Sequence, residues 1–145
     1  MYDDILVPTD GSEEVQQSID HGIDLACLTD ATLHGLFVVD TADAAVLPEA
    51  QWVTIEETLE ETGDRALADI EASAMQREVE TRTAMRYGNP HEEISSYAEE
   101  KDVDLIIMGS RGRSGLDRVL LGSVTENVIR QTDKPVLVQR LEDTG

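Results

Sequence analysis

Two rhythms of apolar and polar positions alternate along this chain. One is a set of short continuous apolar runs: Ile5-Leu6-Val7, Leu36-Phe37-Val38-Val39, Leu105-Ile106-Ile107-Met108 and Val136-Leu137-Val138. Runs this short, bounded by turn residues, predict strands buried on both faces of a parallel sheet. The other is a three- or four-residue spacing, which predicts amphipathic helices between the runs. The first strand is expected over Ile5–Val7, ended by Pro8. The turn Pro8-Thr9-Asp10-Gly11-Ser12 follows, with Asp10 or Ser12 as helix cap. The next helix carries Val15, Ile19, Ile23 and Ala26-Cys27 on one face, so Cys27 is expected to be a buried thiol. The second strand is Thr32–Val39, and Asp40–Pro48 is a loop. A long helix, Glu49–Arg77, shows the stripe Trp52, Ile55, Leu59, Ala66, Ile70 and Ala74. Gly63 interrupts it at a cost of about 1 kcal/mol relative to alanine and is a candidate bend. Thr81–Tyr87 alternates as an edge strand would. Asn89 then caps a helix with Pro90 at its first position and Ile94, Tyr97 and Ala98 facing inward. Val103–Met108 and Val136–Gln139 complete the strands.

Strand and helix alternate throughout, which predicts an α/β fold: a doubly wound, five-stranded parallel sheet with helices on both faces. At 145 residues, with 40% apolar positions, the chain is expected to form one domain over residues 1–145. A chain that builds outward to strand three, then returns past strand one, gives the order 3-2-1-4-5. Ligands of such sheets bind at the carboxyl ends of strands where the order reverses. That point lies between strands one and four, where Pro8-Thr9-Asp10 would face Met108-Gly109-Ser110.

The segment after Met108 has the composition of an anion loop. Gly109, Gly112, Gly115 and Gly122 let main-chain N–H groups approach a phosphate closely, and a helix start after Gly122 adds dipolar attraction. Ser123 can donate a hydroxyl to phosphate, or cap the helix through the box Ser123-Val-Thr-Glu126. Arg111, Arg113 and Arg118 add positive charge to the same segment, or are solvated surface arginines. There is no G-x-x-x-x-G-K-[ST], and no G-x-G-x-x-G after the first strand, so the common nucleotide loops are excluded.

Gly109-x2-Gly112-x9-Gly122-Ser123 resembles the nucleotide-binding signature of the universal stress protein family. The resemblance extends to D-D-I-L-V-P-T-D-G-S at the start, D-L-I-I-M-G-S-R-G in the middle and K-P-V-L-V near the end. It implies the same α/β fold with the same strand order, ATP binding without a P-loop, and dimerisation. It places the base near Asp10 and the main chain of Val38, beside Pro8 and Thr9. It places ribose and phosphates on the main chain of Gly109, Ser110, Arg111 and Gly112 and of Gly122, Ser123 and Val124, with Met108 among the binding residues. Asp10 has two readings, a helix cap or a partner for a ribose hydroxyl or Mg²⁺. Thr125 likewise is a hydroxyl donor or an ordinary first-turn residue. AMP or another adenine nucleotide would fit the same crevice as ATP.

Composition narrows the partners. A net charge of −20, with lysine only at 101 and 134, disfavours nucleic acid and anionic membranes. It also leads to the expectation of a salt-adapted cytoplasm, whose counterions screen the carboxylates. No apolar stretch is long enough to span a membrane. His21, His34 and His91 are scattered and Cys27 stands alone, so no zinc-ligand spacing is present. A loop rich in main-chain donors and poor in nucleophiles points first to a binding protein that signals by ATP occupancy. The alternatives are a slow Mg²⁺-dependent ATPase or phosphoryl-transfer enzyme, and a dimeric scaffold or holdase indifferent to nucleotide. The apolar edge strand Val136–Gln139 is the expected homodimer contact.

Overall fold

The structure is a computed structural model that describes residues 2–110 and 122–140. Its elements run β1 (Asp4–Thr9), α1 (Gln16–Thr29), β2 (Thr32–Asp40), a 3-10 turn (Ala42–Ala45), α2 (Glu49–Gln76), β3 (Thr81–Gly88), α3 (Pro90–Glu100), β4 (Leu105–Gly109), α4 (Ser123–Gln131) and β5 (Val136–Gln139). The five strands form one parallel sheet in the order β3-β2-β1-β4-β5.

The continuous apolar runs arise because both faces of the sheet are covered. Ile5, Val7, Leu33, Phe37, Leu105 and Ile107 point to the side of α1 and α2, where they meet Ile19, Ile23, Ile70 and Ala74. Leu6, Leu36, Ile106 and Met108 point the other way, onto Ile94, Tyr97 and Ala98 of α3 and Val128 of α4. Successive side chains of a strand alternate faces, so both parities must be apolar.

Three helices end by one device. Asp30, Glu78 and Asp102 adopt left-handed φ of 59°, 56° and 49°. The next N–H turns back to the helix: Ala31 to the Ala26 carbonyl at 3.0 Å, Val79 to Ala74 at 2.9 Å, Val103 to Ala98 at 3.0 Å. Each stop delivers an apolar residue toward the core just ahead of the following strand. Acidic residues hold positions where glycine or asparagine is usual, so the sequence carried no cue for them. This also corrects the start of the fourth strand. Val103 is buried, but it closes α3, and β4 begins at Leu105.

Other expectations are revised. Pro8 does not end β1, which continues to Thr9 opposite Phe37. The β1–β4 ladder stops at Leu6–Ile106, so a residue without an N–H breaks nothing on that side. Cys27 is exposed, because Ala26 takes the buried position on α1 and the next residue is rotated toward solvent. Neither Asp10 nor Ser12 caps the first turn of α1, whose N-cap position is Val15. Ser12 Oγ instead accepts the Val15 N–H at 3.3 Å, in the turn that leads into the helix. Asn89 does hold the cap position of α3, but its side chain makes no cap hydrogen bond. Gly63 marks no break in α2; it is buried where the helix crosses Phe37 and Met85. The stripe of α2 is accordingly deepest at Gly63, Leu67, Ile70 and Ala74, while Ile55 is 38% exposed. Among the described residues, no helix is long and apolar enough to cross a membrane.

Candidate functional site

A crevice of about 380 Å³ opens at the carboxyl ends of β1, β2 and β4, the size of a small-ligand site. It exists because neighbouring ladders stop at different heights. β1 leaves β4 after Leu6, whereas β2 runs to Asp40, three residues beyond its last β1 partner, Phe37. The β1-facing main chain around Val38 therefore has no strand partner among the described residues.

Pro8, Thr9 and Asp10 form one wall and Met108 and Gly109 another, with Val38 beside them. Gly122, Ser123, Val124 and Thr125 close the far side. The sequence reading thus named ten residues that the fold brings into one cavity. Ser110 is adjacent but does not line it. Arg111 and Gly112, with Arg113 and Arg118, lie outside the described residues. Lining residues that reading missed are Val15, Leu36, Phe37, Asp40, Leu59, Pro90 and Ile94. Leu36, Phe37 and Asp40 flank Val38 and were within reach of a strand-end argument. Leu59 had no local signal, since its place depends on how α2 crosses the sheet.

Ser110 and Gly122 are each held by main-chain hydrogen bonds. The Ser110 N–H donates to the Gln139 carbonyl at 2.9 Å, which fixes it to the end of β5. The Gly122 N–H donates to the Ser110 carbonyl. Thr125, 4% exposed, donates its hydroxyl to the Gly109 carbonyl at 2.7 Å. The N-cap of α4 is Gly122, with extended geometry, and the first helical bond is Glu126 N–H to Gly122 carbonyl at 3.0 Å. The expected capping box is therefore displaced. Ser123 is the first helical residue rather than the cap, and no side chain caps this helix. The N–H groups of Ser123, Val124 and Thr125 have no acceptor among the described residues, and all three residues line the cavity. An uncapped helix start with several unengaged donors and positive dipolar potential attracts an anion.

The other polar feature of the wall is carboxylate. Asp10 Oδ1 accepts the Ser12 N–H at 2.9 Å, and Asp40 Oδ1 accepts the Ala42 N–H at 2.9 Å. Each bond holds its side chain in a tight turn at the rim.

The three histidines do not share a site. His21 meets Gln139 Oε1 at 2.7 Å and His91 meets Gln131 Oε1 at 2.9 Å, both tying helices to neighbours. His34 is buried toward the amino end of β2, between Asp4 Oδ1 at 2.8 Å and the Tyr97 hydroxyl at 2.7 Å. With its Nε2–H donated to the Asp4 carboxylate, its Nδ1 accepts the Tyr97 hydroxyl proton. Burial pushes the Tyr97 phenol above its ordinary pKa, against the opposing pull of Arg86 and Arg82.

Comparison with known proteins places this architecture. The universal stress protein family model matches residues 1–140. The chain is similar to universal stress protein MJ0531 of Methanocaldococcus jannaschii, 42% identical over 139 residues, covering 95% of this chain and 82% of that protein. The solved structure of MJ0577, from the same archaeon, superposes with a TM-score of 0.89 at 35% identity, covering 100% of this chain and 99% of that one. A universal stress protein from Archaeoglobus fulgidus, solved in complex with dAMP, shares the fold at a TM-score of 0.67 and 22% identity, with 97% and 98% covered.

Proposed function

The chain belongs to the universal stress protein family, and we propose that its crevice binds an adenine nucleotide, ATP in the first instance, with occupancy serving as a regulatory signal. The observation that carries this reading is the uncapped start of α4. Its first three residues, whose N–H groups have no acceptor among the described residues, line a cavity set at the reversal of strand order. In this reading the phosphates take the donors of Ser123 and Val124. The base lies against the apolar walls of Leu36, Phe37 and Val38, with the main chain around Val38 available to its polar edge. The dAMP complex of the Archaeoglobus fulgidus neighbour agrees with an adenine ligand. Hard oxygen ligands suit Mg²⁺, and Asp10 and Asp40 are the lining carboxylates that fit it. Mg²⁺ held there would offset phosphate charge in a protein of net charge −20.

We further propose that two copies pair through β5. All four of its residues are partly exposed on a sheet edge, and Val136-Leu137-Val138 is apolar. Main-chain pairing across a two-fold axis would cover that edge.

The test is mass spectrometry of ligand released by denaturing the purified protein, with Gly122→Val beside the wild type. Valine at Gly122 places a branched side chain in the cavity wall. Adenine nucleotide in the wild type and none in the variant supports the reading. No nucleotide in either, and none taken up from added ATP and Mg²⁺, refutes it. A turnover assay on the loaded wild type then separates a signalling binder from a slow ATPase.

A further inference from the structure

Thr125 is the third residue of α4, where a threonine hydroxyl ordinarily faces solvent or a cap. Here it is buried and bonded across sixteen positions of sequence to the Gly109 carbonyl at 2.7 Å. A hydroxyl has one proton to donate, and this one is already engaged in the protein. Val128, one turn on and 0% exposed, packs the same face of α4 among the residues of α3 and β4. The start of α4 is thus held to the carboxyl end of β4 by two directional bonds, Thr125 hydroxyl to the Gly109 carbonyl and Gly122 N–H to the Ser110 carbonyl, and by the packing of Val128. The Gly122 bond fixes the cap residue; the Thr125 bond is the one made by a side chain of the helical turn itself, and it fixes the rotation of that turn.

We propose that Thr125 is a positioning residue: its hydroxyl locks the start of α4 to Gly109 and so aims the Ser123 and Val124 N–H groups at the phosphate of a bound nucleotide, without donating to the ligand itself. This rests on the nucleotide reading above and adds to it which ligand moiety the lock serves. Donors aimed at an anion lose effect steeply with misalignment. The base and ribose do not use them. The lock therefore acts on phosphate-bearing ligands and leaves a nucleoside alone.

The experiment is calorimetric titration of wild type, Thr125→Val and Thr125→Ser with ATP, AMP and adenosine, each with Mg²⁺. Valine keeps the shape and removes the hydroxyl; serine keeps the hydroxyl and removes the methyl. The expected result for Thr125→Val is ATP and AMP binding weakened about tenfold, the scale of one lost hydrogen bond, with adenosine affinity unchanged. Thr125→Ser is expected to restore the wild-type ratio of ATP to adenosine affinity. Equal weakening of all three ligands, no change in any, or a serine variant no better than valine overturns the proposal. If Thr125→Val does not fold, Thr125→Ala, which removes the hydroxyl with less crowding, carries the same comparison. A wild type that binds adenosine but gains nothing from phosphate overturns the positioning role while the crevice still takes the base. A wild type that binds none of the three overturns the nucleotide reading as well.

Discussion

Gly63→Ala sets two known effects against each other. In a helix interior, replacing glycine by alanine is favourable by about 1 kcal/mol, because the unfolded chain loses freedom. On sequence alone the substitution should stabilise α2. The fold opposes this. A Cβ at residue 63 would sit 2.6 Å from Phe37 Cδ1, 3.0 Å from Phe37 Cε1 and 2.6 Å from Met85 Cε. The methyl of Met85 ends a flexible side chain and can swing aside. The Phe37 ring is 3% exposed and wedged between α2 and the sheet, so relief there requires α2 to lift. Overpacking of this kind costs roughly 1–3 kcal/mol. The rigid neighbour argues for the upper part of that range, leaving a net loss of about 1–2 kcal/mol. Urea unfolding should show a midpoint lowered by roughly 0.5–1 M with an unchanged slope. Adding Met85→Ala should recover little, since the ring is the obstacle. Phe37 and Leu59 both line the crevice, so the variant should also weaken the nucleotide binding proposed for it. An unchanged or raised midpoint would refute the reasoning. Full recovery by Met85→Ala would mean that the methionine, not the ring, sets the limit.

Tyr97→Phe should cost about 1–3 kcal/mol, because it leaves the buried Nδ1 of His34 without the hydroxyl now 2.7 Å away; a melting temperature equal to the wild type's would contradict this. Asp104 holds the start of β1 by accepting the Asp3 and Asp4 N–H groups at 2.7 and 3.0 Å, and those bonds lower its pKa below the ordinary 3.8. A carboxylate whose pKa is lower in the folded than in the unfolded chain contributes its stability above the ordinary value. That contribution is lost as pH falls through the lowered one. Asp104→Asn should therefore be less stable than wild type at pH 7, with the gap closing below about pH 4; a gap independent of pH would refute the assignment.

Much of this protein could be read from its pattern. The apolar runs predicted four of the five strands, and the alternation of Thr81–Tyr87 predicted the edge strand β3. The spacing of Val15, Ile19 and Ile23 and of Ile70 and Ala74 located the helix faces. The turn residues after strands one and four marked where the crevice opens, because neighbouring strands part at a reversal of strand order. These are local or periodic properties, and each residue carries its own share of the information.

What the sequence could not decide depends on contacts between distant elements. Gly63 read as a weak point in a helix, and only the crossing of α2 over Phe37 makes it a close-packing position. Cys27 read as buried beside Ala26, and a rotation of about 100° on the helix puts it in solvent. Ser123 read as a cap or a phosphate donor, and the bond from the Glu126 N–H to the Gly122 carbonyl puts the cap one residue earlier. Thr125 read as a hydroxyl donor to a ligand or an ordinary first-turn residue, and the fold instead brings the Gly109 carbonyl within 2.7 Å of its hydroxyl. Periodicity states which face of an element is buried; it is silent on which atom of another element waits there, because that distance is set by the packing of the whole sheet.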